Sequence, residues 1–579
     1  ATSKQLKQFY NNNKNWPRLN NIKKKIEVKI SRNDFEESML WFQENPPVSS
    51  AGKIKLSELL LKNGFKEEGV WLLQDTWKNN TFSFSEEKYI MKNYNKFLSK
   101  NIQNFRMERL VWNRTWGSAR RQLKRVDKNI RTFSNAKILL SRRKGNVDNA
   151  IKRVTKELIN HETLVYERVK WRRRANLENK SFELIFNYKG TFSRPKKWWR
   201  EVNYHSRKQI RYGNYDKAII LLKNFSNGTE NYSSEASWLI GWLSLTFDKN
   251  PKTAYEYFKQ MFSEVKTPIS KARASYWAGK SSKTLGDIVG SKVWFARSSA
   301  YPATFYGQLA LKELNKSLYM PDTLYNVSEK EIEEYKSKEL VQSLIILLEA
   351  KHRRLSRIFA MHLANISKNT KDILLLANIL REKKAISLSI FAGKKAVYNN
   401  IYIPSLNFPL PDEDILNSIK KNSVIDIAET LAIARQESAF DPKAISRAGA
   451  RGLMQVMPRT ARITAKKINY KYIRKNLTSK PSYNIKIGTT YFKQMLNKFD
   501  NSYVLALAAY NAGPNRVSRW LKVYGDPRKK EIDPITWIEL IPISETRNYV
   551  QRVIEGMYMY KVLLKKNSNL LPSKEIKLF

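Results

Sequence analysis

Asn214, Asn250 and Gly286 stand 36 residues apart. The same spacing carries a small residue four places on, at Ala218, Ala254 and Gly290, and a large apolar one eight places on, at Leu222, Phe258 and Trp294. The tract Gly145-Asn146-Val147-Asp148-Asn149-Ala150 is echoed 68 residues later, twice 34, by Gly213-Asn214-Tyr215-Asp216-Lys217-Ala218. Steps of four and eight fall on one side of a helix, so each unit reads as a turn followed by a helix with a small–large packing face. One helix pair cannot bury such a face by itself. Neighbours must stack, and the product is an α-solenoid. From residue 1 to about 330, Pro and Gly are sparse and no long alternating run suggests a sheet. The expected fold class is therefore all-α.

At 579 residues the chain is too long for a single core, and roughly two to four domains are expected. A hydrophobic content of 42%, with 15 Trp and 29 Tyr, supplies enough apolar surface for packed cores and excludes general disorder. The cluster Pro404, Pro409 and Pro411 marks a domain boundary, so a separate C-terminal module begins near 410. The absence of cysteine removes disulfides, thiol nucleophiles and thiolate metal sites, and four histidines leave no basis for an imidazole-rich metal centre. The longest apolar runs, such as Ser343-Leu344-Ile345-Ile346-Leu347-Leu348, fall far short of the roughly 20 residues of a transmembrane helix. With 106 Lys and Arg against 52 Asp and Glu, the formal charge of +54 favours polyanionic surroundings: nucleic acid, anionic membrane or acidic cell-wall polymer. No groove-reading motif accompanies it, so specific nucleic-acid binding ranks last. The basic aromatic tracts Trp171-Arg172-Arg173-Arg174 and Arg194–Arg200 fit either a polyanion patch or, more commonly, helices with one solvated face and a buried Trp.

The chemistry concentrates between Ile427 and Thr460. Val424, Ala428, Leu431 and Ala434 recur at three- or four-residue steps as one apolar helical stripe, and Glu437 closes it just before the helix-breaking Asp441-Pro442. A carboxyl at a helix C-terminus, against Phe440 and Met454, is disfavoured as an anion. Such a group still holds a proton near neutral pH and can donate it. The bland alternative is a solvated glutamate at a helix end. Glu429, just over two turns earlier, is expected on the solvent face, and neither it nor Asp441 is a candidate nucleophile.

The letters around Glu437 narrow the choice. Gln436-Glu437-Ser438, Ser446, and Gly452-Leu453-Met454-Gln455 resemble the catalytic core of the soluble lytic transglycosylases, lysozyme-like enzymes that cut the glycan strands of bacterial peptidoglycan. Further segments match in order: Asn484-Ile485-Lys486-Ile487-Gly488 with Tyr491, Ala509-Tyr510-Asn511-Ala512-Gly513, and Ile541-Pro542 followed by Glu545-Thr546-Arg547-Asn548-Tyr549-Val550. The motifs cover roughly the last 170 residues. Tyr301-Pro302-Ala303-Thr304-Phe305-Tyr306-Gly307 resembles the end of the helical ring in the large members of that family.

The resemblance implies an N-terminal α-superhelical, tetratricopeptide-like ring over 1–330, a helical linker domain over 331–408 and a lysozyme-like catalytic domain over 409–579. It implies a lyase without cofactor or metal. Glu437 would protonate the oxygen between N-acetylmuramic acid and N-acetylglucosamine and then, as a base, take the proton of the C6 hydroxyl that closes a 1,6-anhydro ring. Ser446, Met454, Gln455, Tyr510, Asn511 and Glu545 are implied as substrate-binding or orienting residues, although Asn511 and Gly513 equally suit a helix turn with Gly at positive φ, and Asn484 and Gly488 equally suit packing. The family commonly has an aromatic where Ile543 stands, which puts the shape of one subsite in doubt. The further expectations are a periplasmic monomer acting on peptidoglycan strands, with a signal peptide removed before Ala1 and with cell-wall synthesis proteins as candidate partners. A non-catalytic wall-binding scaffold and a lysozyme-like hydrolase are the alternatives.

Overall fold

The computed structural model describes residues 1–31, 33–143, 145–229, 234–319, 327–399, 401 and 403–566. Among them the chain is built of helices. Extended pairing is confined to two isolated bridges, Ile445 with Arg451 and Arg451 with Val456. The all-α expectation holds. Two compact units emerge, Ala1–His205 with Asn227–Thr229, and Ser206–Ser226 with Glu230–Phe579.

In the first unit, helices pack in series, Ser50–Lys62 on Lys66–Asn79 and that on Lys100–Trp112. Leu73, Trp77 and Ile90 anchor one core cluster, and Phe133, Leu140 and Leu164 another. The basic tract near 171 takes the bland reading. Trp171 packs against the second cluster, Arg173 forms a two-pronged pair with Glu201 at 2.6 and 2.9 Å, and Arg172 donates to the Lys180 carbonyl. Trp198 is fully buried and donates to Glu162 at 2.6 Å. These side chains are spent on the unit's own cohesion.

In the second unit, Ser234–Thr246, Pro251–Glu264, Pro268–Thr284, Ile288–Ser299 and Phe305–Glu313 each pack on the next. The sequence repeat is visible here. Asn250 caps its helix by accepting from Thr253 N at 3.0 Å. Ala218, Ala254, Leu222 and Phe258 are fully buried, and Trp294 nearly so.

The C-terminal helices gather around Ile427–Ser438, which packs along Ser544–Lys566. Here the sequence reading needs correction. Val424 precedes the helix and is 39% exposed, whereas the helix is buried on every side, at Glu429, Thr430, Ala432 and Ile433 as well as on the expected stripe. A helix enclosed by neighbours has no solvent face, so its apolar period understates its burial.

One buried carboxylate ties distant parts of this unit together. Glu539 accepts from Arg273 at 2.8 Å, from Gln551 at 2.8 Å and from the Tyr306 hydroxyl, with the Arg547 guanidinium 3.6 Å away. Arg207 donates to the Glu539 backbone carbonyl. Burial works to raise the Glu539 pKa, but the charges of Arg273 and Arg547 outweigh it and hold the group below its ordinary value.

Candidate active site

Glu437 sits in the last turn of Ile427–Ser438, whose start is capped by Asp426 accepting from Ala428 N at 2.8 Å. The helix ends through two residues in left-handed conformation, Ala439 (φ 51°) and Phe440 (φ 62°), ahead of Asp441-Pro442. Non-glycine residues adopt that region at a cost, and such strain is retained where the surroundings fix it. Ala439 and Phe440 are both buried.

The next segment, 444–456, wraps into a tight loop. Ser446 donates from its amide to the Ala450 carbonyl at 2.9 Å and accepts the Ala450 amide on its hydroxyl at 3.0 Å. Ser438 Oγ donates to the Leu453 carbonyl at 2.8 Å, joining the loop to the helix that carries Glu437. Gly452 has φ +77°, and a Cβ there would lie 2.0 Å from the Leu477 carbonyl oxygen, so only glycine fits. Met454 is completely buried, with its amide donating to Asn484 Oδ1 at 2.8 Å and its carbonyl accepting from the Tyr510 hydroxyl at 2.8 Å. Gln455 has φ 46°, and its amide nitrogen donates to the carbonyls of Ala444 and Gly452.

Asn484 is therefore more than a packing residue. Fully buried, it also donates to the carbonyls of Arg451 and Leu477 at 2.9 and 3.0 Å. One side chain satisfies two backbone groups of the loop and one of the following Asn476–Ser479 helix, which would otherwise each carry a desolvation cost. Gly488, one turn later, leaves room for Met454, which a Cβ would meet at 2.6 Å.

Tyr510 ends the helix Tyr503–Ala512 next to Tyr491, with ring centroids 5.3 Å apart. The helix stops at Gly513 (φ 91°), where the next begins with Pro514. Asn511 accepts from Thr546 Oγ1 at 2.7 Å, which fastens this turn to the start of Ser544–Lys566. Glu545, in that first turn, is exposed.

Electrostatics bring four of these groups together. Burial pushes the Glu437 carboxyl up to about 8; the Glu545 charge adds to the rise and the Tyr549 hydroxyl opposes it. Burial, and then the Glu437 charge, drive the Tyr510 and Tyr549 hydroxyls far above their ordinary value. The Tyr549 hydroxyl is buried, and among the described residues it makes no hydrogen bond of full geometry. The arrangement is a carboxylic acid that stays protonated at neutral pH, between two neutral phenols and one exposed carboxylate.

Two residues depart from the sequence reading. Glu429, expected on the solvent face, is 4% exposed, accepts from the Tyr503 hydroxyl at 2.5 Å, and is pushed up to about 7 by burial. Tyr549 was visible only as a letter of a motif; its side chain faces Glu437 from the adjoining helix, a juxtaposition that no sequence spacing reveals.

Residues 414–532 match the model of the transglycosylase SLT domain. This segment is an SLT domain. Its relatives include the soluble lytic murein transglycosylase of Salmonella typhimurium, 39% identical over 169 residues, and that of Escherichia coli K12, 38% identical over 169 residues. The aligned stretch covers 29% of this chain and 26% of each relative. Across the whole chain, the fold is similar to that of a lytic transglycosylase Slt inactive mutant from Pseudomonas aeruginosa, with TM-score 0.74 and 19% identity, covering 99% of this chain and 90% of that one. The 70 kDa soluble lytic transglycosylase of Escherichia coli matches with TM-score 0.56 and 18% identity, covering 97% and 89%. Glu437, Ser446, Met454, Gln455, Tyr510 and Asn511 all lie inside the SLT domain, while Glu545 and Tyr549 lie beyond its matched end.

Proposed function

We propose that this chain is a peptidoglycan lytic transglycosylase. It cleaves the β-1,4 bond between N-acetylmuramic acid and N-acetylglucosamine without water and leaves 1,6-anhydromuramoyl ends. The observation that carries this reading is Glu437, a helix-terminal carboxyl pushed up to about 8 and flanked by Tyr510 and Tyr549. A group held near that value is protonated and neutral at neutral pH and gives up its proton as the leaving oxygen develops charge.

In this mechanism Glu437 protonates the bridging oxygen. Its new charge is then met by the Tyr549 hydroxyl, which opposes the pKa rise and so favours the carboxylate. The substrate's acetamido oxygen stabilises the developing cation. The Glu437 carboxylate takes the C6 hydroxyl proton, and that oxygen closes on C1. Attack from within the same sugar profits from a high effective molarity. Tyr510 and Asn484 hold the Met454 backbone, and so the Met454–Gln455 edge, in register with the acid. Ser446, Gln455, Asn511 and Glu545 are proposed as the surrounding substrate contacts. The segments 1–330, 331–408 and 409–579 are proposed as the functional divisions, and the enzyme is placed in the periplasm as a monomer, with cell-wall synthesis proteins as candidate partners.

Digestion of purified sacculi tests this reading. Products carrying 1,6-anhydro ends by mass spectrometry are expected. Reducing-end products one water heavier would instead make the chain a lysozyme-like hydrolase. Undiminished lysis by Glu437→Gln would leave a wall-binding scaffold as the better reading.

A further inference from the structure

Between residues 442 and 499 the chain carries fourteen lysines and arginines and no aspartate or glutamate. Shorter acid-free cationic runs occur at 109–126 and 128–147, so the distinction of this tract is its length. The fold presents four of the tract's cations on one face of a helix. In the helix Pro458–Lys467 the buried positions are Ala461, Thr464 and Ala465, whereas Arg459, Arg462, Ile463, Lys466 and Lys467 are exposed. Steps of three, four and seven make these a single solvent stripe. Among the described residues the flanking ion pairs, Arg353 with Asp441 and Arg528 with Asp500, lie outside the tract.

The connection that follows, 468–475, is held against the same region. The Arg462 guanidinium lies 5.4 Å from the centre of the Tyr472 ring. Tyr483 donates to the Lys471 carbonyl at 2.9 Å and accepts from Ile473 N at 3.0 Å, and its ring stacks on Tyr470 at 5.2 Å. Ile463, Ile473 and Met457 alternate along the chain with these cations and are 50%, 38% and 41% exposed. Exposed apolar side chains interleaved with cations that, among the described residues, have no acidic partner suit one kind of partner best. A soluble acidic polymer would account for the charge and leave the isoleucines idle. An anionic bilayer accounts for both, because guanidinium and ammonium groups meet the headgroups while short apolar side chains enter the acyl boundary.

We propose that the face made by Pro458–Lys467 and the 468–475 connection docks on an anionic phospholipid bilayer. Met457 follows Gln455 by two residues, so docking holds the Met454–Gln455 loop beside that surface. This assignment does not depend on the reaction proposed above, and its test uses no glycan.

The test is flotation of the full chain with vesicles of phosphatidylcholine alone and of phosphatidylcholine mixed equally with phosphatidylglycerol. Flotation is expected only with the mixed vesicles, and weaker at high salt. Each cation brought to an anionic surface is worth about fivefold in affinity, so Arg459→Gln, Arg462→Gln and Lys466→Gln together lower partitioning roughly a hundredfold. Ile463→Ser with Ile473→Ser lowers it severalfold at unchanged charge. All five positions are exposed or nearly so, and circular dichroism checks that each variant keeps its helices. Failure of the wild-type chain to float with mixed vesicles overturns the proposal. So does equal flotation of the triple variant. Displacement by soluble polyglutamate, with no loss in the double serine variant, assigns the face to an acidic polymer and overturns the lipid assignment.

Discussion

Replacing Glu437 by glutamine removes a proton-binding site and almost no volume, so its effects separate chemistry from packing. In the unfolded chain this carboxyl ionises near 4.5, and in the folded one near 8. Between those values the native state holds one proton more than the unfolded state, so stability falls as pH rises, by about 1.4 kcal/mol per pH unit. From about pH 5 to pH 7 the ideal loss is on the order of 2.5 kcal/mol, and some residual solvent contact at Glu437 trims it to about 2 kcal/mol. The glutamine variant has no such dependence at this position. Its advantage over wild type is therefore small near pH 5 and about 2 kcal/mol larger at pH 7. Urea unfolding followed by tryptophan fluorescence at both pH values measures it. The same variant loses lysis of sacculi by at least a factor of about a hundred, the lower range for losing a general acid. A stability difference equal at both pH values would refute the electrostatic account of Glu437, even if activity were lost.

Four other outcomes follow from the same geometry. Lysis stays on a plateau below pH 8 and declines as Glu437 loses its proton around that value; an upper limb near pH 5 would be incompatible with Glu437 as the acid. Because the Tyr549 hydroxyl favours the carboxylate, Tyr549→Phe shifts that limb to higher pH and slows lysis, and a pH profile identical to wild type would remove Tyr549 from the site. Asn484→Leu breaks two hydrogen bonds to the Met454 loop and one to Leu477 and costs about 2–4 kcal/mol, read as a drop in denaturant midpoint. Glu429→Gln relieves a buried carboxyl pushed up to about 7 and stabilises the chain at pH 8 but not at pH 5, as thermal unfolding at the two pH values would register.

The residue patterns carried the helical class because helix periodicity is local: Leu222, Phe258 and Trp294 are the buried positions that a 36-residue unit requires. They also placed Glu437 at a helix end, since Asp441-Pro442 forbids continuation. Burial around a helix is a tertiary property, and there the letters misled. Glu429 looks like an ordinary charged residue off the apolar stripe, and only Tyr503, 74 residues later, shows that it is enclosed. Asn484 looked interchangeable with any helix-interior polar residue because the backbone groups it satisfies lie 7, 30 and 33 positions away. Tyr549 acquired meaning only once Ser544–Lys566 was seen lying along the helix of Glu437.

The Glu539 knot bears on how this protein can be dissected. Excising the C-terminal segment at the proline cluster would leave Glu539 without Arg207, Arg273 and Tyr306. It would also leave Glu555 without the Phe305 amide, which donates to it at 2.9 Å. Two acids on newly bared surface, Glu539 left with only Arg547 and Gln551 and Glu555 left with Arg552 in the helix that also carries Tyr549, would loosen the turn that faces Glu437. Any shortened version that retains the upstream helices bearing those arginines should outlast one trimmed to the recognisable module alone.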